Sequence, residues 1–78
     1  MIRIIKQYGY KMQFELKEDY IELFKLIKVM DLVDSGAQAK YIVADGYVKR
    51  NGEVELRKRA KIVKGDVIEV AEAVIEVV

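Results

Sequence analysis

The chain has 78 residues, a net charge of +1, and no Cys, His or Pro. Its size predicts a single domain, and the missing Cys and His exclude disulfides, thiolate or imidazole metal ligands, and a His-assisted nucleophile. Ser35 is the only Ser and Thr is absent, so we expect no enzyme, no cofactor and no metal site. Charges interrupt every apolar stretch well before the roughly 20 residues of a membrane span, which predicts no membrane partner, and the lack of Cys agrees with a cytoplasmic location.

The charges of the chain are segregated along the sequence. Residues 1–46 are balanced, residues 47–64 carry seven basic and two acidic side chains, and residues 65–78 carry four acidic ones. The basic residues of the middle segment are Lys49, Arg50, Arg57, Lys58, Arg59, Lys61 and Lys64. Such a footprint favours a polyanionic partner, whereas the simpler alternative is a solvated loop.

Residues 1–30 predict a strand followed by a helix. The first ten residues form either an edge strand or a loose arm. Met12, Phe14 and Leu16 then alternate with polar residues, which is strand periodicity. From residue 20 to residue 30 the polar positions recur every three residues and nearly all others are apolar. This pattern predicts a helix that is covered from more than one side.

The second helix has clear start and stop signals. Ser35 can cap the first amides while Gln38, three residues later, reaches back, as in a capping box. Gly46 stands where a left-handed residue would end the helix. We therefore predict a helix from Ser35 to just before Gly46.

Residues 47–78 predict short strands joined by turns. Asn51-Gly52 is the strongest hairpin signal, because both central positions of a type I′ turn need positive φ. Residues 53–56 would form the returning strand and residues 57–61 a charged connection. A second turn at Lys64-Gly65-Asp66 precedes strands at 67–70 and 74–78, and the last could pair with an N-terminal strand. The predicted fold is α+β, with two packed helices against a small, mostly antiparallel sheet.

The order of these signals resembles a known family. The string IELFKLIKVMDLV is followed by DSGAQAKYIVADGYVKRNGEVELRKRAKIVKGDVIEV. The matching positions are Ser35, Ala39, Ile42, Gly46, Val48, Asn51, Gly52, Gly65, Asp66, Val67 and Ile68. This set resembles the S4 (S-four) RNA-binding domain, named after a small-subunit ribosomal protein. The short length and the Arg-Lys-Arg-x-Lys stretch are similar to the stand-alone bacterial branch of that family.

The resemblance implies an S4-like (αL motif) fold that binds RNA. It implies one RNA-binding domain over residues 1–78, with the core motif at 20–70, an N-terminal strand or arm at 1–16 and a C-terminal strand at 74–78. The expected partner is structured RNA, ribosomal RNA above all, with ribosomal particles as a further partner and no small-molecule substrate. The implied process is ribosome assembly or translation. The alternative is a protein-interaction module whose basic patch docks an acidic protein.

The resemblance also implies which residues contact the RNA. The second helix would contribute Ser35, Gln38 and Lys40, and the hairpin region would contribute Lys49, Arg57, Lys58, Arg59 and Lys61. Two positions depart from the family pattern. Gly36 stands where many members have Arg, which removes one phosphate contact. Arg50 stands where members usually have an apolar strand residue, and it is either an added RNA contact or an edge-strand residue that faces solvent. We include Arg50 in the predicted RNA-binding set.

Overall fold

The computed structural model of the protein describes residues 10–78. Its elements, in chain order, are β1 (Tyr10–Phe14), β2 (Ile21–Glu22), α1 (Leu23–Val29), α2 (Gly36–Ala44), β3 (Val48–Arg50), β4 (Glu53–Val54), β5 (Lys61–Ile62), β6 (Val67–Val70) and β7 (Ala73–Val77). The strand predicted from the alternation after residue 11 is confirmed as β1. The prediction for the first nine residues lies outside the described part.

The strands form two sheets. The larger sheet has the order β1-β7-β6-β3-β4, in which β1 runs parallel to β7 and all other neighbours are antiparallel. The smaller sheet pairs β2 with β5 in antiparallel fashion. The predicted pairing of the C-terminal strand with an N-terminal one is confirmed, as is the α+β architecture.

Both helices contribute to one hydrophobic core with the inner face of the larger sheet. The fully buried large side chains are Leu23, Leu26, Ile27, Val43, Val48, Ile62, Ile68 and Ile75. Alternate residues of β6 and β7 are buried, as expected for strands with one face on the core. Within the described residues, no helix is long and apolar enough to cross a membrane.

The first helix begins three residues later than its periodicity predicts. Residues 21–22 pair with Lys61–Ile62 as strand β2, and α1 starts only at Leu23. Its first amides are satisfied by a distant loop, since the Leu23 amide donates to the Ala60 carbonyl at 3.0 Å and the Phe24 amide to the Lys58 carbonyl at 2.9 Å. These two carbonyls replace the side-chain cap that Glu22 does not provide.

The second helix follows its predicted signals with one shift. Ser35 is the N-cap, and its Oγ accepts a hydrogen bond from the Gln38 amide at 3.1 Å. The Gln38 Oε1 accepts from the Asp34 amide at 2.8 Å, one residue before the position that a standard capping box would use. Gly46 has φ +84° and follows the C-cap residue, as predicted.

The predicted hairpin is confirmed, and its first strand lies inside the larger sheet. Asn51 and Gly52 both have positive φ (53° and 90°), as a type I′ turn requires. The returning strand is only two residues long. Strand β3 pairs with β4 on one side and with β6 on the other. The alternative that Arg50 lies on an edge strand is therefore wrong.

Candidate nucleic-acid interface

Residues 57–61, which we call the basic loop, are anchored to the core. The amides of Leu23 and Phe24 bond to this loop, and Ala60 is buried in the hydrophobic cluster. The Ala60 amide also donates to the Arg57 carbonyl at 3.1 Å. The dense positive charge is thus carried by a segment with a defined shape, because its backbone serves as the cap of α1.

The side chains of the basic loop point to two sides. Arg57, Arg59 and Lys61 line a shallow cleft whose further walls are Arg50 and Ala60. We call this the arginine cleft. Lys58 does not line this cleft and instead lines a groove along α2 together with Ala37, Lys40, Tyr41 and Ala44. We call this the tyrosine groove. The loop is therefore a ridge with cations on both flanks.

Two carboxylates outside the basic loop form ion pairs with its arginines. Glu55 accepts two hydrogen bonds from the Arg57 guanidinium, at 2.9 and 3.1 Å, and Glu22 accepts from Arg59 at 3.1 Å. The hydrogen bonds from Arg57 lower the pKa of Glu55 and raise the pKa of Arg57. Because both arginine side chains are more than half exposed, these pairs contribute little to stability.

The ring of Phe24 joins the helix half and the loop half of the predicted site. The Lys40 Nζ lies 4.7 Å from the ring centroid and the Arg59 guanidinium carbon lies 5.2 Å from it. Cations at this distance from an aromatic face gain about 0.5–1 kcal/mol at exposed sites. A Cβ added at Gly36 would also lie 3.9 Å from this ring, so the start of α2 approaches the same point. Phe24 is thus a shared support for Lys40 and Arg59.

Arg50 is held by an internal ion pair at the back of the arginine cleft. Its Nη2 lies 2.9 Å from the Asp66 Oδ2 and donates to the Lys61 carbonyl at 2.9 Å, and its side chain is 24% exposed. The neighbouring Lys49 projects from the opposite face of the sheet, because successive strand residues alternate. Lys49 faces Val54 in the register, and Val54 in turn approaches Gly46 at the end of α2.

Asp66 accepts more side-chain hydrogen bonds than any other carboxylate of the described residues. It is 7% exposed and accepts hydrogen bonds from the Arg50 guanidinium, the Asn51 amide group and the Val63 backbone amide. Burial disfavours its charged form, but the bonds from Val63, Asn51 and Arg50 outweigh burial and lower the pKa of Asp66. Asn51 therefore does more than form a turn, since its Oδ1 also accepts from the Val67 amide at 2.8 Å.

The predicted site residues lie in four places. Arg50, Arg57, Arg59 and Lys61 share the arginine cleft, and Lys40 and Lys58 share the tyrosine groove. Ser35 and Gln38 lie at the start of α2, where the Ser35 hydroxyl accepts a hydrogen bond from the Gln38 backbone amide. Lys49 lies on the outer face of the hairpin, beside Val54.

Comparison with known sequences decides the family. The sequence model of the S4 domain matches residues 14–78. The chain belongs to the S4-domain family. The YbcJ protein of Escherichia coli strain K12, whose name gives it as a candidate RNA-binding protein, is 45% identical over 62 residues, which cover 80% of this chain and 89% of that protein. The YbcJ protein of Shigella flexneri matches with the same identity and coverage.

Solved structures agree with this S4 assignment. The solution structure of E. coli YbcJ, described as revealing an αL motif involved in RNA binding, superimposes with a TM-score of 0.67 and covers 85% of each chain. The 30S ribosomal protein S4e of Thermoplasma acidophilum superimposes with a TM-score of 0.62 at 29% identity, covering 74% of this chain and 31% of S4e. The expected S4-like fold with an αL motif is therefore confirmed.

Two aromatic residues of this S4 domain, Phe24 and Tyr41, lie beside predicted site residues but were not predicted from the sequence. Phe24 looks like any other apolar residue of α1, and its contact with Arg59 spans 35 positions of the chain. Tyr41 had one usable signal, because it lies four residues after Ala37 and three before Ala44 on one helix face. An aromatic residue between alanines on an outward face departs from the usual polar exterior of a helix.

Proposed function

We propose that this protein binds structured RNA without catalysing a reaction, with ribosomal RNA as the target. The observation that carries the proposal is that the anchored basic loop contributes cations to two neighbouring surfaces. One is the arginine cleft, and the other is the tyrosine groove, where Lys58 of the loop lies with Lys40 of α2. The family membership and the RNA-binding description of YbcJ support the same function. In this proposal residues 1–78 act as one RNA-binding domain, with its core motif at 20–70.

The geometry favours recognition of backbone shape. The ion pairs of Arg57 and Arg59 are exposed, so phosphate oxygens can replace Glu55 and Glu22 at small cost. The guanidinium groups are already oriented by these carboxylates, and guanidinium binds phosphate in a fork geometry. Because the loop backbone is fixed to α1, the cations keep their spacing, and only RNA with matching phosphate positions gains all contacts.

The proposal extends to cellular role and location. A ribosomal RNA target places the protein in ribosome assembly or translation, in the cytoplasm, with ribosomal particles as its larger partner. The partial match with the 30S protein S4e supports this direction. Crosslinking in living cells, followed by sequencing of the bound RNA, tests it. We expect the reads to concentrate at one or a few sites of ribosomal RNA, and reads spread in proportion to RNA abundance would contradict the proposal.

Binding should depend steeply on salt. If about five phosphates are contacted, log K should fall against log salt with a slope near −3.5 to −4.5, because each contact releases ~0.7–0.9 counterion. The measurement is a filter or anisotropy titration with ribosomal RNA fragments over a series of salt concentrations. A slope near zero would contradict a phosphate-based interface.

An acidic protein partner is the second candidate, and one observation favours it. Tyr47, Val54 and Leu56 are exposed apolar side chains close to the hairpin. Apolar surface beside charge is common at protein interfaces. This candidate predicts a shallower salt dependence and little nucleic acid in the purified protein, so the same titration separates the two.

A further inference from the structure

Tyr41 presents an uncovered aromatic ring on the outward face of α2. The side chain is 70% exposed. Ala37 and Ala44 lie one turn before and one turn after it on the same helix face, and neither methyl group is large enough to cover the ring. Exposed helix faces usually carry polar side chains, and the residues of α2 that pack into the core are Ala39 and Val43, so core packing does not account for this small apolar platform.

Two lysine residues line the groove beside this platform. Lys40 precedes Tyr41 on α2, and Lys58 reaches the same groove from the basic loop. Lys40 is held in place by the Phe24 ring, and the backbone of Lys58 is held by its bond to the Phe24 amide. An aromatic ring beside lysine side chains matches the two parts of a nucleotide, because bases stack on aromatic rings and phosphates pair with ammonium groups.

We infer that the tyrosine groove binds one unpaired nucleotide of the RNA, with its base stacked on Tyr41 and its phosphate near Lys40 and Lys58. The inference rests on the proposed function and names its substrate class, an RNA helix interrupted by an unpaired nucleotide. Bases inside a continuous duplex are stacked on each other and the deep groove of A-form RNA is closed to side chains, so only an unpaired base reaches the ring.

The charges around α2 orient the nucleotide. Asp45 is the C-cap residue, and the carbonyl end of a helix carries partial negative charge. A phosphate is therefore disfavoured beyond Ala44 and favoured towards Lys58, which lies across the groove. The arginine cleft lies on the other flank of the basic loop, where the phosphates of the adjoining helix can bind. One RNA would thus contact both flanks of the ridge.

The test compares two labelled RNA hairpins with the same stem, one fully paired and one with a single bulged uridine. We expect the protein to bind the bulged hairpin more tightly in an anisotropy titration at low salt. Tyr41→Ala should weaken binding of the bulged hairpin by about five- to 150-fold and leave the paired hairpin unchanged. Tyr41→Phe should retain the preference, because it keeps the ring.

Tyr47→Ala is the matched control. Tyr47 is 66% exposed, nearly the same as Tyr41, but it does not line the groove. It should leave the preference for the bulged hairpin intact. A bromouridine at the bulge should photocrosslink to the peptide that contains Tyr41.

Two results would overturn the inference. Either the unmodified protein binds both hairpins equally, or Tyr41→Ala weakens both by the same factor. Failure of the proposed function has a different signature. In that case reversal of charge in the arginine cleft, by Arg57→Glu with Lys61→Glu, would leave the affinity for the paired hairpin unchanged.

Discussion

Reversal of four charges on the basic loop should abolish RNA binding and leave the fold intact. The variant carries Glu at all four positions, Arg57, Lys58, Arg59 and Lys61. These four side chains are exposed and lie on both flanks of the basic loop, so their reversal turns the whole ridge from attractive to repulsive for phosphates. The backbone bonds that anchor the loop do not depend on these side chains. A mobility or filter assay with ribosomal RNA measures the loss, and unfolding by urea checks the fold.

A double variant avoids a side effect of the fourfold change. Glu at positions 57 and 59 would stand next to Glu55 and Glu22 and repel them. No salt bridge among the described residues uses Lys58 or Lys61, so Lys58→Glu with Lys61→Glu reverses surface charge without breaking an ion pair and removes only the contact of Lys61 with the Tyr20 ring. We expect RNA affinity to fall by roughly 100-fold or more and the salt slope to decrease by about two.

The matched control is Lys11→Glu with Lys17→Glu. It changes the net charge by the same amount, but Lys11 lies on β1, at the edge of the sheet opposite to β4. Its effect on RNA affinity should be small. Equal losses in the two double variants would assign binding to net charge and contradict the basic loop as the RNA-binding site.

Replacing Asp66 with Ala should cost about 3 kcal/mol of unfolding free energy. The change removes the acceptor of Arg50, Asn51 and the Val63 amide, and it leaves the 24% exposed Arg50 side chain with only the longer contact to Glu55, at 3.8 Å, as counter-charge. Breaking a buried pair on one side is more costly than replacing both partners. For a domain whose total stability is about 5–15 kcal/mol, this is a large share. Urea denaturation measures it.

Exposed Asp19 provides the control for that substitution. Asp19→Ala should change the unfolding free energy by no more than about 0.5 kcal/mol. A second substitution, Arg50→Met, should recover part of the stability lost in Asp66→Ala, because it removes the cation that has lost its nearest carboxylate. If Asp66→Ala were as mild as Asp19→Ala, the ion pair would not support the hairpin.

The Asp66 carboxylate makes the free energy of unfolding depend on pH in the acidic range. The folded state lowers the pKa of Asp66 below the ordinary value of 3.8, since hydrogen bonds and the Arg50 charge outweigh burial. A lowered pKa means that the contribution is fully present above pH 3.8 and is lost as pH falls through the folded pKa. Asp66→Asn should reduce this acid-induced loss in denaturation series, and an unchanged pH profile would contradict the assignment.

Local signals along the chain were enough to predict most elements of this protein and to indicate its family. The Ser35 cap, the Gly46 stop and the Asn51-Gly52 turn are all as predicted, because each depends on the dihedral angles and hydrogen bonds of a few adjacent residues. Alternating apolar positions predicted the strands for the same reason. The order of these signals was sufficient to indicate an S4-like fold.

The arrangement and pairing of the basic residues follow from long-range contacts that the sequence does not reveal. Periodicity indicates which face of an element is buried but not which distant residue meets it. It therefore could not predict that carbonyls of the basic loop cap α1, or that residues 21–22 pair as β2 and the helix begins only at Leu23. It also could not predict that Arg50 turns inward to Asp66, 16 positions away, or that Glu22 reaches Arg59, 37 positions away. The basic segment was visible in the sequence, but its division into a cleft and a groove depends on these long-range contacts.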